Sequence, residues 1–214
     1  MWTEDDQRLY NVAYYAEHRV EEIERVRGRQ AAILEFLRDL RRQPCADCGQ
    51  GFPPWVMDFD HRDPKTKSFA LAAGHALLKS RQALIAEVAK CDIVCANCHA
   101  SRTYSWIKSE DLFASRAPGV SRYIERKTAY RKDQAKLLAE LRTVPCLDCG
   151  RDFPHFVMQF DHRDATKKRY VVTQMIGRAG TETILAEVAK CDIVCANCHR
   201  DRSYRRRTAS AGVA

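Results

Sequence analysis

The stretch Ala-Glu-Val-Ala-Lys-Cys-Asp-Ile-Val-Cys-Ala-Asn-Cys-His occupies residues 86–99 and returns, letter for letter, at residues 186–199. Each copy ends in Cys-x-x-Cys-His. Each also follows an earlier Cys-x-x-Cys pair, Cys45 with Cys48 in the first case and Cys146 with Cys149 in the second. Between the pairs stands Phe-Asp-His-Arg-Asp, at residues 59–63 and 160–164. From the first pair through Asp-His the copies align at a shift of 101 residues, and from Cys91 onward at 100, so the intervening loop differs by one residue. The 214 residues therefore read as a duplicated module rather than as one domain.

Two Cys-x-x-Cys pairs supply four thiolates, which can surround a zinc ion tetrahedrally, each pair chelating from one turn. The sequence thus predicts two structural Zn²⁺ sites: Cys45, Cys48, Cys95 and Cys98 in the first module, and Cys146, Cys149, Cys195 and Cys198 in the second. A closed four-sulfur site has no open position for substrate, so this metal is expected to hold the fold together. The stretch from first to last cysteine is only about fifty residues, and a core that short is marginal without a staple. Cys91 and Cys191 are then expected to be buried, inert thiols, because four sulfurs already satisfy the ion.

Thiols kept for zinc point to a reducing compartment. The acidic start Met-Trp-Thr-Glu-Asp-Asp lacks an apolar signal core, and no run approaches eighteen apolar residues. The expectation is a soluble, cytoplasmic protein with no membrane partner. A formal charge of +8 makes a polyanion the first partner to consider. That charge depends on metal: eight thiolates remove eight charges and two zinc ions return four, leaving +4, and two further divalent ions would restore +8. Clustering is the better signal, and Arg200, Arg202, Arg205, Arg206 and Arg207 follow the second Cys-x-x-Cys-His directly.

Along the chain the expected organisation is α+β. An N-terminal helical arm spans 1–43, with a capping box at Thr3 and Asp6 and an apolar stripe from Leu9 to Leu40; one helix, or two joined near Gly28, would both fit. The stripe is expected to pack on its own module rather than in an intermolecular coiled coil. The first module covers 44–108. It has a strand at Val56–His61, a second strand at Ser68–Ala72 (Arg169–Thr173 in the other copy), a short helix ending in Ala-Glu-Val-Ala-Lys, and a last helix from about Asn97. A junction and second arm occupy 109–144, with Ser121 as a helix cap and Ala135, Leu138 and Leu141 facing inward. The second module covers 145–207, and 208–214 is expected to be a frayed tail. Asp58 becomes Gln159 in the second copy, which argues against a need for a carboxylate at that position.

Cys-x-x-Cys, Asp-His at a strand end, then Cys-x-x-Cys-His entering a helix resembles the zinc-bearing branch of the HNH endonucleases, whose active site is a ββα-metal finger. The resemblance covers roughly residues 44–107 and 145–207. It implies two tandem zinc-stapled HNH-like modules. Asp60 with His99, and Asp161 with His199, would hold a catalytic divalent ion such as Mg²⁺ or Mn²⁺. His61 and His162 would be general bases, taking a proton from the water that attacks phosphorus. Arg102 and Arg202 are candidates to grip a phosphate, as are Lys90 and Lys190. These lysines mark a departure, because the family pattern has an asparagine there that helps hold the loop orienting the base. DNA, double-stranded, is the implied partner. The chain would act as an internal pseudo-dimer, or as a homodimer through its arms. The alternative is a nucleic-acid-binding zinc protein without catalysis, gripping phosphates through counterion release.

Overall fold

A computed structural model describes residues 2–109 and 122–212. Helix α1 (Glu4–Leu40) begins at the expected capping box: Asp6 N–H donates to Thr3 Oγ1, and Thr3 N–H donates to the Asp6 carboxylate. It runs through Gly28 without a break. At about 1.5 Å per residue such a helix is about 55 Å long, and it overshoots the module behind it. Only its last turns dock. Ile33 and Leu37 are buried against Leu71, Ala76 and Leu84, whereas Leu9 and Val12 are 65% exposed. The expected packing of the whole stripe on its own module is therefore confined to the C-terminal end of the helix.

Strand β1 (Met57–His61) pairs antiparallel with β2 (Cys91–Cys95), with Met57 opposite Cys95 and His61 opposite Cys91. The expected partner at 68–72 is not a strand. The N–H groups of Ser68 and Phe69, which a ladder would use, donate instead to the carboxylate of Glu87 at 2.7 and 3.3 Å. The Asp-Ile-Val run of the repeat supplies the β-branched residues that pair with β1. Between the strands lie α2 (Ala73–Ala76) and α3 (Arg81–Val88), the latter capped by the Ser80 hydroxyl. Strand β2 passes directly into α4 (Ala96–Ser109).

The second copy repeats this order. Helix α5 (Arg122–Leu141) precedes β3 (Met158–His162), α6 (Thr181–Val188), β4 (Cys191–Cys195) and α7 (Ala196–Ala211), and β3 pairs with β4 in the same register as the first hairpin. Residues Val172–Met175 form a 3₁₀ turn, again in place of the expected strand. Leu138 is buried and Leu141 half-buried, but Ala135 faces out. The inward position belongs to Gln134, whose amide donates to Ala179 O and accepts from Gly177 N–H. Residues 134, 138 and 141 keep helical phase; 135 does not. The expected frayed tail instead continues α7 to Ala211. The junction expected at 109–120 and the Ser121 cap lie outside the described residues, apart from Ser109, which ends α4.

Each module has two small cores. One, with Leu84 or Ile184 at its centre, joins the arm to the short helix; the other, with Met57 and Val94 or Met158 and Val194, lies beneath the cysteine cluster. Full burial of such a side chain contributes about 1.5–3 kcal/mol, so few residues carry each module.

The modules meet through α4 and α7 in a reciprocal arrangement. Asn97 N–H donates to Asn197 Oδ1, and Asn197 N–H to Asn97 Oδ1, both at 2.9 Å. Each asparagine thereby satisfies an orphan N–H at the start of the other module's helix. On either side a ring stack repeats the symmetry: Trp55 on Tyr204 with centroids 3.8 Å apart, and Phe156 on Tyr104 at 4.0 Å. Among the described residues no helix is long and apolar enough to cross a membrane.

Candidate functional site

The eight paired cysteines converge as two groups of four, and within each the sulfurs lie within 4.8 Å of one another. Tetrahedral zinc with Zn–S near 2.3 Å requires sulfurs about 3.8 Å apart. Both clusters are therefore compatible with structural zinc. Local backbone builds them: after Cys48 and Cys149 the chain turns through Gly49 and Gly150 at φ +68°, a left-handed conformation suited to glycine. Burial alone would push the Cys45 and Cys146 thiols up. Backbone N–H groups outweigh it and bring both down to about 7, including the Cys95 and Cys195 amides at 3.2 Å from their sulfurs. The two clusters are tied to one another through the reciprocal Asn97–Asn197 bonds, because each asparagine stands between two cysteines of its own cluster, Cys95 and Cys98 or Cys195 and Cys198. Cys91 and Cys191 stand apart, pushed up to about 11 by burial, as expected of inert thiols.

Beside the first hairpin lies an open cleft of about 580 Å³, lined by Asp60, His61, Asp92 and Arg102. Asp60 and His61 are strand neighbours and diverge, but β1 ends at His61 and both reach the cleft. His61 turns its Nε2 to the buried carboxylate of Glu87 at 2.9 Å. Burial opposes ionisation of Glu87, but Lys90, His61 and the Ser68 and Phe69 amides outweigh it and hold the group down to about 2. An ionised carboxylate only accepts, so Nε2 carries the proton and Nδ1 keeps the lone pair. Lys90, expected as a phosphate ligand, is otherwise engaged. Its ammonium donates to Glu87, to Ser68 Oγ and to Thr66 O, pinning the loop that follows β1. Lys190 likewise meets Glu187 and Lys167 O, and His162 meets Glu187 at 2.9 Å.

His99, at the first turn of α4, is held from both sides. Its Nδ1 donates to Asp58 at 2.8 Å, and Asp58 is gripped in turn by Arg200 of the second module at 2.6 Å. The bond to Asp58 raises the His99 pKa against the opposing effect of burial. With Nδ1 protonated, the Nε2 lone pair of the neutral ring faces Asp60 Oδ1 at 3.5 Å. Two electron-rich atoms turned toward one another at that distance suit a shared cation, and an oxygen-plus-imidazole pair matches Mg²⁺ or Mn²⁺. In the second module His199 Nε2 lies 3.3 Å from Asp161 Oδ1.

Arg102 and Arg202, expected to meet phosphate, are bound to carboxylates. Arg102 bridges Asp47, Asp60 and Asp92, and Arg202 bridges Asp148, Asp161 and Asp192, contacts that hold both guanidinium groups strongly protonated. Sequence reasoning gave no role to Glu87 or Asp92, counted Arg200 only within a basic cluster, and set Asp58 aside. For Glu87 a signal existed, since it stands inside the unchanged fourteen-residue repeat; for Asp58 the change to Gln159 gave no hint of its bonds to His99 and Arg200. Searched against protein-family models, curated proteins and solved structures, the chain matches none of them.

Proposed function

We propose that this chain is a metal-dependent DNA endonuclease whose modules are HNH-like, with Asp60 and His99 holding a divalent ion and His61 acting as general base. The observation that carries the reading is an Asp60 carboxylate that faces His99 Nε2 at 3.5 Å and lines the same open cleft as His61, a histidine backed by a buried carboxylate.

The protein's own groups divide the work. Glu87 fixes the His61 ring and its tautomer, leaving Nδ1 to take a proton from the attacking water. Attack at phosphorus breaks the bond to the 3′ oxygen, which takes a proton from solvent, giving a 5′-phosphate and a 3′-hydroxyl; the proton on His61 returns to solvent. A divalent ion at Asp60 and His99 supplies Lewis-acid stabilisation of the charge developing on the phosphoryl group and leaving oxygen. Lys90 holds Glu87 and the loop after β1. It thus supports the base from the position where the family pattern has an asparagine.

The test is cleavage of supercoiled plasmid by zinc-loaded protein with Mg²⁺ or Mn²⁺, beside EDTA and His61→Ala. Nicking or linearisation that needs the ion and vanishes in the variant is expected. If the wild type merely shifts the plasmid on a gel under every divalent ion, the chain is a nucleic-acid-binding zinc protein and the nuclease reading fails.

A further inference from the structure

The repeated motif hides a difference between the modules. Asp60 and Asp161 occupy equivalent strand positions, each facing a histidine, yet their surroundings diverge. The Asp60 side chain is 20% exposed at the cleft; that of Asp161 is 3% exposed. What covers Asp161 is a guanidinium. Arg206 donates to both of its oxygens, Nη1 to Oδ1 and Nη2 to Oδ2, each at 2.8 Å, while Arg202 adds a third bond at 3.0 Å. The oxygen that faces His199 thus already carries a cation. The position equivalent to Arg206 on α4 is Trp106, which has no charge to offer.

A second difference runs the other way across the interface. The Asp58 carboxylate that fixes the His99 tautomer is held by Arg200, a residue of α7. The counterparts are Gln159 for Asp58 and Ala100 for Arg200. Neither is charged, so the second module receives no such support from the first. Carboxylates behind a ligating imidazole orient the ring and raise its basicity. Support therefore flows one way, from the second module into the first.

We propose that the two modules are unequal: the first holds the working ion site, completed across the interface by Arg200, while Arg206 occupies the cation position of the second. The inference rests on the proposed Asp60–His99 ion site, but its test does not depend on cleavage.

The measurement is Mn²⁺ binding to the zinc-loaded full chain, by calorimetry and by the electron paramagnetic resonance signal of the free ion, with zinc content checked in each variant. One Mn²⁺ per chain is expected. Asp60→Asn should remove it and Asp161→Asn should spare it. Arg206→Ala should raise the stoichiometry to two. Arg200→Ala should weaken the single site by about 10-fold or more, the usual effect of losing a group behind a ligand. Two equivalents in the wild type would overturn the proposal, as would a single ion that Asp161→Asn abolishes and Asp60→Asn leaves, or no bound Mn²⁺ at all. A single ion at Asp60 in a protein that never cuts DNA would leave the asymmetry standing and sink the nuclease reading instead.

Discussion

The cysteine clusters of the two modules are near copies, whereas the Asp-His sites beside them are not. Around the sulfurs the same knuckle glycine, the same amide-to-sulfur bonds and the same strand-to-helix passage recur. Around Asp60 and Asp161 the neighbours from α4 and α7 differ, and with them the exposure of the carboxylate. A tetrahedral four-sulfur site is specified by residues close in sequence within each pair, so duplication carries it intact. A site completed by a side chain from the other half of the molecule can drift, because one substitution on one helix changes only one of the two copies.

The largest effect should come from the metal common to both halves. Binding of structural zinc contributes an apparent ~10–16 kcal/mol in small zinc domains, so Cys98→Ser or Cys198→Ser should abolish its own cluster. Because Asn97 and Asn197, each between two cysteines of its cluster, bond to one another across the interface, the untouched module should also melt at lower temperature; zinc content with far-UV circular dichroism measures this, and two fully independent melts would break the coupling.

Next in size is the proposed base. His61→Ala should lower plasmid cleavage by about 10²–10⁴-fold, the usual contribution of general-base catalysis. A similar loss from His162→Ala alone would show that the modules share the chemistry equally.

The carboxylate behind the base gives a pH signature. Glu87 is held near 2 in the fold against an ordinary 4.5, a depressed value, so its stabilisation is fully present above about pH 5 and is lost as pH falls through about 2. Glu87→Gln should therefore lower the urea midpoint at pH 7, with the gap to wild type closing as the solution is acidified. A gap that stays constant with pH would mean that the carboxylate's charge is not what holds this corner together.

Smaller still is the interface. Asn97→Ala with Asn197→Ala removes two reciprocal bonds of about 1 kcal/mol each, and at roughly 2–4 °C per kcal/mol for a chain of this size the thermal midpoint should fall by several degrees. Removal of residues 1–27 should move it least, since the burial on α1 begins at Ile33. A large drop on that truncation would show that the exposed stripe is covered in solution.

The sequence by itself determined the duplication, both cysteine clusters, the capping box of α1, the first strand of each module and the final helices. These features rest on short-range chemistry: chelating pairs, a cap three residues from its partner, alternation along five residues. It also brought Asp60, His61 and His99 forward as one candidate set. What only the tertiary structure decided was the partner strand, the facing of Gln134 rather than Ala135, and the company kept by each polar side chain. Glu87 draws away the amides of 68–69, so the expected ladder there cannot form, and β1 pairs with Cys91–Cys95. Arg102, Lys90 and their counterparts read as free cations in a line of letters, yet in the fold carboxylates reach them first. Asp58 looked dispensable because its copy is Gln159. Its partner, Arg200, is 142 residues away, and a charge pair across that separation is set by how α4 and α7 pack, which no local pattern records.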